Sequence, residues 1–319
     1  MRSIILKCIP LLDVLLALVV FPAALVMKLV RRMGVQRMPV CKKALLGAGV
    51  FPVLDHYYEP QFDFRDLKQD LSEKRALPGI DWNVSSQLDF LGHLAFAAEL
   101  ENVPAAKIDV LEFHHNNGAF EFGDADMWYQ VIRSMKPRKI VEIGSGHSTL
   151  MATRAIKRNR EDMSGYACDH VCIEPYEMPW LDQLDVSVVR SKVEDVDMSV
   201  FTGLGDGDLL FIDSSHIIRP QGDVLFEYLE ILPRLGKGVV VHIHDIFTPR
   251  DYPEQWIKGE VRMWNEQYLL EAFLTHNASW EVLGSVNYLH GNHYDQFKKI
   301  SPSSTPQRGG GSIYLRKVA

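Results

Sequence analysis

Three residues near the middle of the chain have the types and spacing of a proton-transfer or metal-holding group. Asp213 closes the apolar run DLLFID, Asp245 closes GVVVHIHD, and His216 follows Asp213 by three positions. If the two runs are neighbouring parallel strands, they lie about 4.8 Å apart and both carboxylates project from the carboxyl edge, where such sheets bind ligands. Two carboxylates and an imidazole can take the proton from a hydroxyl as its oxygen attacks. They can also hold a divalent ion that lowers the hydroxyl pKa, with Asp213 and Asp245 as candidate ligands. The ordinary alternatives are that Asp213 caps a turn and Asp245 caps a loop. A hard cation also prefers more oxygen ligands than these two acids supply. His242 and His244 share one face of their run by period two, opposite Asp245, and are expected to be packed and hydrogen-bonded under a helix unless the strand has already broken at His244.

A second group lies upstream in VEIGSGHST, residues 141–149. It reads as a strand that breaks into a turn and opens a helix. Gly144 and Gly146 allow a sharp bend and close approach of a ligand, and Ser148 and Thr149 start the helix with free N–H groups. A dinucleotide fingerprint would have a third glycine where Thr149 stands. The next strand ends in Glu174, within CIEPYE and 30 residues beyond Gly144. An acid at that tip can accept both hydroxyls of an adenosine ribose.

The elements that must position these groups follow a regular alternation. Strands are expected at 139–143, 171–174, 186–190, 208–212 and 238–243. Helices are expected at 148–157, 222–235 and 264–274, and late strands at 280–288 and 312–316 around a loose polar segment, 291–311. Strands alternating with helices at this spacing imply a doubly wound, mostly parallel sheet. Upstream, 83–100 has apolar residues at helical spacing after a possible cap, Ser85. The stretch 114–126 reads as a loop, in which Asp124 or Asp126 could cap a helix running to Met135. No internal repeat is evident. The segment 247–268, rich in aromatics and prolines, has the length of a lid, and Trp256 and Trp264 could line an acceptor pocket. Asn116, Asn117 and Phe120 are weaker candidates.

IVEIGSGHSTL, the acid in CIEPYE, DLLFIDSSH and GVVVHIHDIF together resemble the class I S-adenosylmethionine-dependent methyltransferases, and the bacterial methyltransferase domain 24 subgroup in particular. The resemblance runs from about Asn116 to the C-terminus and extends weakly to HYYEPQF and LPGIDWN. It implies a Rossmann-like seven-stranded sheet with the last strand antiparallel, and cofactor binding that needs no metal. Carried over by position, Glu142, Gly144, Ser145, Gly146 and Thr149 would surround the methionine part of S-adenosylmethionine, and Glu174 would hold the ribose. Lys192, Val193 and Glu194 would meet the adenine, and Asp213 would sit beside the methionine moiety or the transferred methyl. Metal-binding acids after strands four and five occur in some methyltransferases of this fold, a likeness confined here to Asp213 and Asp245. His147 stands where the family often has an aromatic or apolar residue.

Charge and hydropathy divide the chain unevenly. The net charge is −7, yet residues 1–43 carry eight basic side chains and one acid, a balance of +7 that leaves −14 for the rest. An acidic body repels phosphate backbones and argues against nucleic acid as partner. The run 8–27, CIPLLDVLLALVVFPAALVM, has Asp13 as its single charge and the length of a membrane span. Lys28, Arg31, Arg32 and Arg37 follow it and would hold the body on the cytoplasmic side. A signal peptide, a helix lying in the interface, and a helix docked on the domain are the rivals. The four cysteines, Cys8, Cys41, Cys168 and Cys172, show no zinc or disulfide spacing and fit a reducing compartment.

The expected organisation is therefore an N-terminal anchor with basic flank (1–43), an extension packed on the core (44–115) and an S-adenosylmethionine-binding domain (116–319). The expected function is methyl transfer, to oxygen by preference, with a small polar, glycan or lipid-linked acceptor. Two rivals are a NAD-dependent oxidoreductase, against which the missing third glycine argues, and a membrane-tethered protein that binds the cofactor without turnover.

Overall fold

The computed structural model describes residues 2–56 and 58–319, with side chains from residue 9 onward. Tyr57 of the HYYEPQF segment and the side chain of Cys8 lie outside the described residues. The chain forms two units, Met1–Asp70 and Leu71–Ala319.

In the first unit, α1 (Arg2–Met33) contains the apolar stretch and is followed by a short helix, α2 (Pro39–Gly47). Ile9–Met33 is long and apolar enough to cross a membrane, with a mean hydropathy of 2.5 over its most apolar window. At 1.5 Å per residue these 25 residues extend about 37 Å, against a hydrocarbon core of about 30 Å. Its apolar side chains face outward, Leu18 being 71% exposed. At its C-terminal end Arg31 pairs with Glu59 and lies over the Phe51 ring at 5.1 Å.

The second unit is built on a seven-stranded sheet, with β1 (Lys139–Ile143), β2 (Asp169–Ile173), β3 (Ser187–Val189), β4 (Leu209–Ile212), β5 (Val240–His244), β6 (Trp280–Ser285) and β7 (Ser312–Lys317). The order across the sheet is β3-β2-β1-β4-β5-β7-β6. All neighbours are parallel except β7, which runs antiparallel to both β5 and β6. This is the expected mostly parallel sheet with its last strand reversed. Every residue of β4 and β5 is buried, as strands covered on both faces should be. Alternate residues feed two apolar cores. Ile140, Phe211 and Tyr314 pack with α5 (Phe122–Met135) and α6 (His147–Asp162). Val141, Leu210, Ile212 and Val241 pack on the other face, with the segment from Asp223 to Arg234 and the helix Glu266–Leu274.

Several local expectations change. The amphipathic stretch 83–100 is two helices, α3 (Val84–Gly92) and α4 (Ala97–Leu100), parted around Gly92, and Asn83 in a left-handed conformation precedes the first in place of Ser85. Asp124 and Asp126 do not cap α5. They lie inside it and are buried, accepting bonds from the 301–312 region. The late strand stops at Ser285, and 286–292 is helical. The polar segment 291–311 contains the helix Tyr294–Ile300, whose Phe297 and Ile300 fill the core under α5. Its apolar positions are too few for a periodicity to register.

Candidate active site

At the carboxyl edge of β1 to β4 lies a cleft of about 360 Å³, lined by Gly144, Glu174, Tyr176, Lys192, Val193, Glu194, Asp213 and Ser214 among others. That volume falls within the ~300–1,000 Å³ of ligand pockets. Six of the residues expected at the cofactor thus line one cleft. Gly144 is there for a steric reason: its φ is +75°, and a Cβ would collide with the Asp213 carbonyl oxygen, so the tips of β1 and β4 meet only over a glycine. The Glu174 carboxylate is tied into its own turn. Its Oε1 accepts from the backbone N–H groups of Tyr176 and Glu177 at 3.0 Å, and its Oε2 lies 3.4 Å from Ser145 N across the cleft floor.

The remaining expected cofactor residues sit beneath that floor. Glu142 is fully buried; the Thr149 hydroxyl donates to it at 2.5 Å and His170 Nε2 lies 3.2 Å away. The same Thr149 oxygen accepts from Gly146 N at 3.1 Å, which fixes the turn to the helix start. Ser145 is buried with its hydroxyl unpartnered among the described residues. Glu142 and Thr149 therefore brace the turn, and their side chains point into protein.

Beside the cleft, Asp213, His216 and Asp245 come together, with one ligand atom from each within 4.8 Å of the others. His216 Nε2 faces Asp213 at 3.3 Å and Asp245 at 3.5 Å, while its Nδ1 lies 2.8 Å from Glu266. Glu266 also accepts from the Tyr228 hydroxyl at 3.1 Å. His244 belongs to the same group, with Nδ1 3.3 Å from Asp213 and 3.7 Å from Asp245, and Nε2 3.6 Å from Asp124. This corrects the expectation that His242 and His244 lie together opposite Asp245. Asp245 has φ +56°, so the strand's alternation ends at His244 and the next side chain turns back to join it. His242 alone stays in the core, stacked on Tyr314 at 4.2 Å.

Four carboxylates thus surround two imidazoles. Burial opposes charge on Asp213, yet the His244 and His216 rings hold its carboxyl well below the usual range. Against its own burial, His216 is pushed up to about 10 by Asp213 and Glu266, and His244 is driven well up by Asp245 and Asp213. Burial raises Asp245 to about 6, with the two imidazoles opposing. His216 is itself at φ +60°, so two adjoining non-glycine residues hold left-handed backbone here. Such strain persists only where the surrounding structure enforces it. The excess of carboxylate suits a cation, whether a sulfonium or a divalent ion. The donor set Asp213, His216 and Asp245 fits such an ion, provided His216 Nε2 is unprotonated.

The segment 247–268 covers this group with rings. Trp264 lies 4.3 Å from His216 and 5.1 Å from Trp256, and the Arg262 guanidinium lies over both indoles, at 4.3 and 4.4 Å from their ring centroids. Trp256 and Trp264 are half-buried. Asn116 and Asn117 instead fasten their own loop: the Asn117 side-chain amide donates to the carbonyls of His114 and Phe120 at 2.8 and 2.7 Å, and that of Asn116 to Ala105 at 2.8 Å. Phe120 is buried against Phe211 and His244.

Sequence reading missed Asp124, His244 and Glu266. Asp124 read as a cap and His244 as a core residue by period, while Glu266 was not singled out within the helical run 264–274. A buried acid in an otherwise apolar helix face was the one signal available for Asp124.

Residues 141–246 match the family model described as a methyltransferase domain. An uncharacterized protein of Archaeoglobus fulgidus is 29% identical over 168 residues, which is 49% of this chain and 74% of its own. Among solved structures, a methyltransferase from Geobacter sulfurreducens aligns over 75% of this chain and 98% of its own at 13% identity, with a TM-score of 0.35. An O-methyltransferase from Bacillus cereus, in complex with S-adenosylhomocysteine, aligns over 74% and 98% at 13% identity, TM-score 0.37. A 16S rRNA (adenine(1408)-N(1))-methyltransferase from Catenulisporales acidiphilia aligns over 68% and 97% at 16% identity, TM-score 0.29.

Proposed function

Because residues 141–246 place this chain in the methyltransferase-domain family of S-adenosylmethionine-dependent enzymes, we propose that it methylates a hydroxyl of a small polar, glycan or lipid-linked acceptor. The oxidoreductase and the non-catalytic binding protein fall away with that family match. The observation that carries the proposal is the position of Asp213, which lines the cofactor cleft and also belongs to the carboxylate–imidazole group. A methyl group presented from the cleft would then meet an acceptor beside residues able to manage its proton.

The chemistry follows from what this acceptor needs. The sulfur departs as a neutral thioether and requires no acid. An attacking hydroxyl must lose its proton as the oxygen–carbon bond forms. Both His216 nitrogens face carboxylates, so the doubly protonated ring satisfies the site, and Asp245 is the group left to accept that proton. His216 then holds Asp245 and Asp213 in place. A second reading, favoured by the same three donors, is a divalent ion that would lower the hydroxyl pKa when bound by Asp213, Asp245 and neutral His216.

The setting we propose is the cytoplasmic face of a membrane, with 1–43 as anchor, 44–115 as extension and 116–319 as the catalytic domain. The apolar stretch and the basic residues Lys28, Arg31, Arg32 and Arg37 support it. The negative balance of the body favours an acceptor other than nucleic acid. A screen with methyl-labelled cofactor against glycan, lipid, small-metabolite and RNA fractions tests the function. Label entering RNA alone, or no fraction at all, would overturn it.

A further inference from the structure

Under α6, on one face of the sheet, lies a second group of chemically active side chains that the proposed reaction does not use. Glu142 is the register partner of Cys172 across β1 and β2, and His170 precedes Cys172 by two residues, so all three side chains leave the sheet on the same face. All three are buried, Glu142 and Cys172 completely. One ligand atom from each lies within 4.8 Å of the others. Glu142 Oε2 is 3.2 Å from His170 Nε2 and 3.6 Å from Cys172 Sγ. Yet the imidazole makes no hydrogen bond: the Nε2 approach lacks the alignment of one, and neither ring nitrogen has a partner among the described residues. Buried polar atoms of native proteins are nearly all paired, and a buried ion pair is costly unless such bonds are made. A nitrogen and an oxygen that crowd together without facing each other point to a third atom between them.

The spacing is that of a metal ion's ligands. Zinc holds Cys sulfur at ~2.3 Å, His nitrogen at ~2.0 Å and carboxylate oxygen at ~2.1 Å, tetrahedrally, which sets N···O at about 3.3 Å and O···S at about 3.6 Å. The carboxylate is also held as a ligand should be. The Thr149 oxygen accepts from Gly146 N, so its own proton goes to Glu142 and fixes the carboxylate in place. The Ser145 hydroxyl, buried and without a hydrogen-bond partner among the described residues, stands beside the Cys172 thiol as a fourth donor. One carboxylate and one thiolate cancel the two charges of the ion and leave the interior neutral, whereas calcium or magnesium would want more oxygens. We propose that Glu142, His170 and Cys172 bind a structural zinc ion that ties β1 to β2. No spacing in the sequence announces it, because the ligands come from two strands. Since its ligands are buried, the ion enters as the chain folds and resists a chelator added afterwards.

The test uses the full-length protein purified without chelator, and the same protein from cells grown with cobalt(II) in place of zinc. About one zinc per chain is expected, and X-ray absorption at the zinc edge should show one sulfur at ~2.3 Å with nitrogen and oxygen at ~2.0–2.1 Å. The cobalt protein should show a thiolate-to-metal charge-transfer band together with the intense visible bands of tetrahedral cobalt. Cys172→Ser, which keeps side-chain size, should lose the charge-transfer band. Cys168→Ala and Asp245→Asn should keep it, because the group of Asp213, His216 and Asp245 contains no sulfur. A zinc shell without sulfur, or protein that carries neither zinc nor thiolate-bound cobalt, overturns the proposal without any variant and leaves His170 as the ion-pair partner of Glu142. A charge-transfer band that survives in folded Cys172→Ser, or that disappears with Cys168→Ala, also overturns it by assigning the metal to another thiol.

Discussion

Replacing Glu174 tests the proposed cofactor cleft most directly, because the structure assigns different work to its two oxygens. Oε1 is engaged by two backbone N–H groups at 3.0 Å, whereas Oε2 has one long contact at 3.4 Å and keeps capacity for a ligand. Ribose hydroxyls would donate to Oε2, a charge-assisted bond worth about 1.5–3 kcal/mol. Glu174→Ala should therefore weaken S-adenosylmethionine about 10- to 150-fold, at 1.4 kcal/mol per tenfold. The alanine also frees the N–H groups of Tyr176 and Glu177, so a lowered unfolding temperature would accompany the loss. Glu174→Gln separates the two effects, since its one carbonyl oxygen can hold the turn while the amide nitrogen cannot accept from a ribose hydroxyl. Its stability should stay near the parent while much of the affinity is lost. Calorimetry showing unchanged affinity in a folded Glu174→Ala protein would refute the placement.

Gly144→Ala must take φ +75° with its Cβ against the Asp213 carbonyl; strain and overpacking together should cost roughly 2–5 kcal/mol in urea unfolding, and a loss below 0.5 kcal/mol would contradict the geometry. Asp245→Asn should lower turnover about 10²–10⁴-fold with cofactor affinity kept, the range for a positioned acid or base, and chelation should leave the parent's rate untouched unless the divalent-ion reading is right. Asp126, raised by burial to about 6 despite bonds from Ser303 and Ser301, binds its proton more tightly folded than unfolded. Its contribution to stability is present below pH ~3.8 and lost as the pH rises through about 6, so Asp126→Asn should flatten the unfolding free energy between pH 4 and 7, and an unchanged slope would count against the shift. A chain lacking residues 1–42 should leave the membrane fraction and still bind cofactor; a full-length protein found wholly soluble would remove the anchor.

The sheet was legible because its strands declare themselves. Val240 and Val241 continue an apolar run, Gly144 and Gly146 mark a turn, and β1 and β7 have the expected limits to within one residue. The cleft followed, since Gly144, Glu174 and Asp213 sit at strand tips whose order fixes their neighbourhood. The carboxylate group was only half legible. Period two sends His244 away from Asp245, and nothing local announces that Asp245 adopts a left-handed backbone and cancels the alternation. Asp124 and Glu266 reach the group from 89 residues before Asp213 and 53 after it, by packing that sequence spacing does not encode. The helix Tyr294–Ile300 escaped for a related reason: two buried side chains secure it, and its other residues look like loop.

The position of β7 has a consequence for how the molecule is made. Residues 312–317 occupy the gap between β5 and β6, so during synthesis β5 waits with one edge bare while about 70 further residues are added. Gly311 N and the Ser312 hydroxyl then close on Asp124 at 2.8 and 2.5 Å, and Asp124 in turn faces His244. The glycine turn and its acid can form early from contiguous chain, whereas the carboxylate–imidazole group is completed only by this late arrival. Synthesis thus sets an order of maturation, with the glycine-turn cleft before the carboxylate–imidazole group, and a nascent chain interrupted before residue 311 would carry the first without the second.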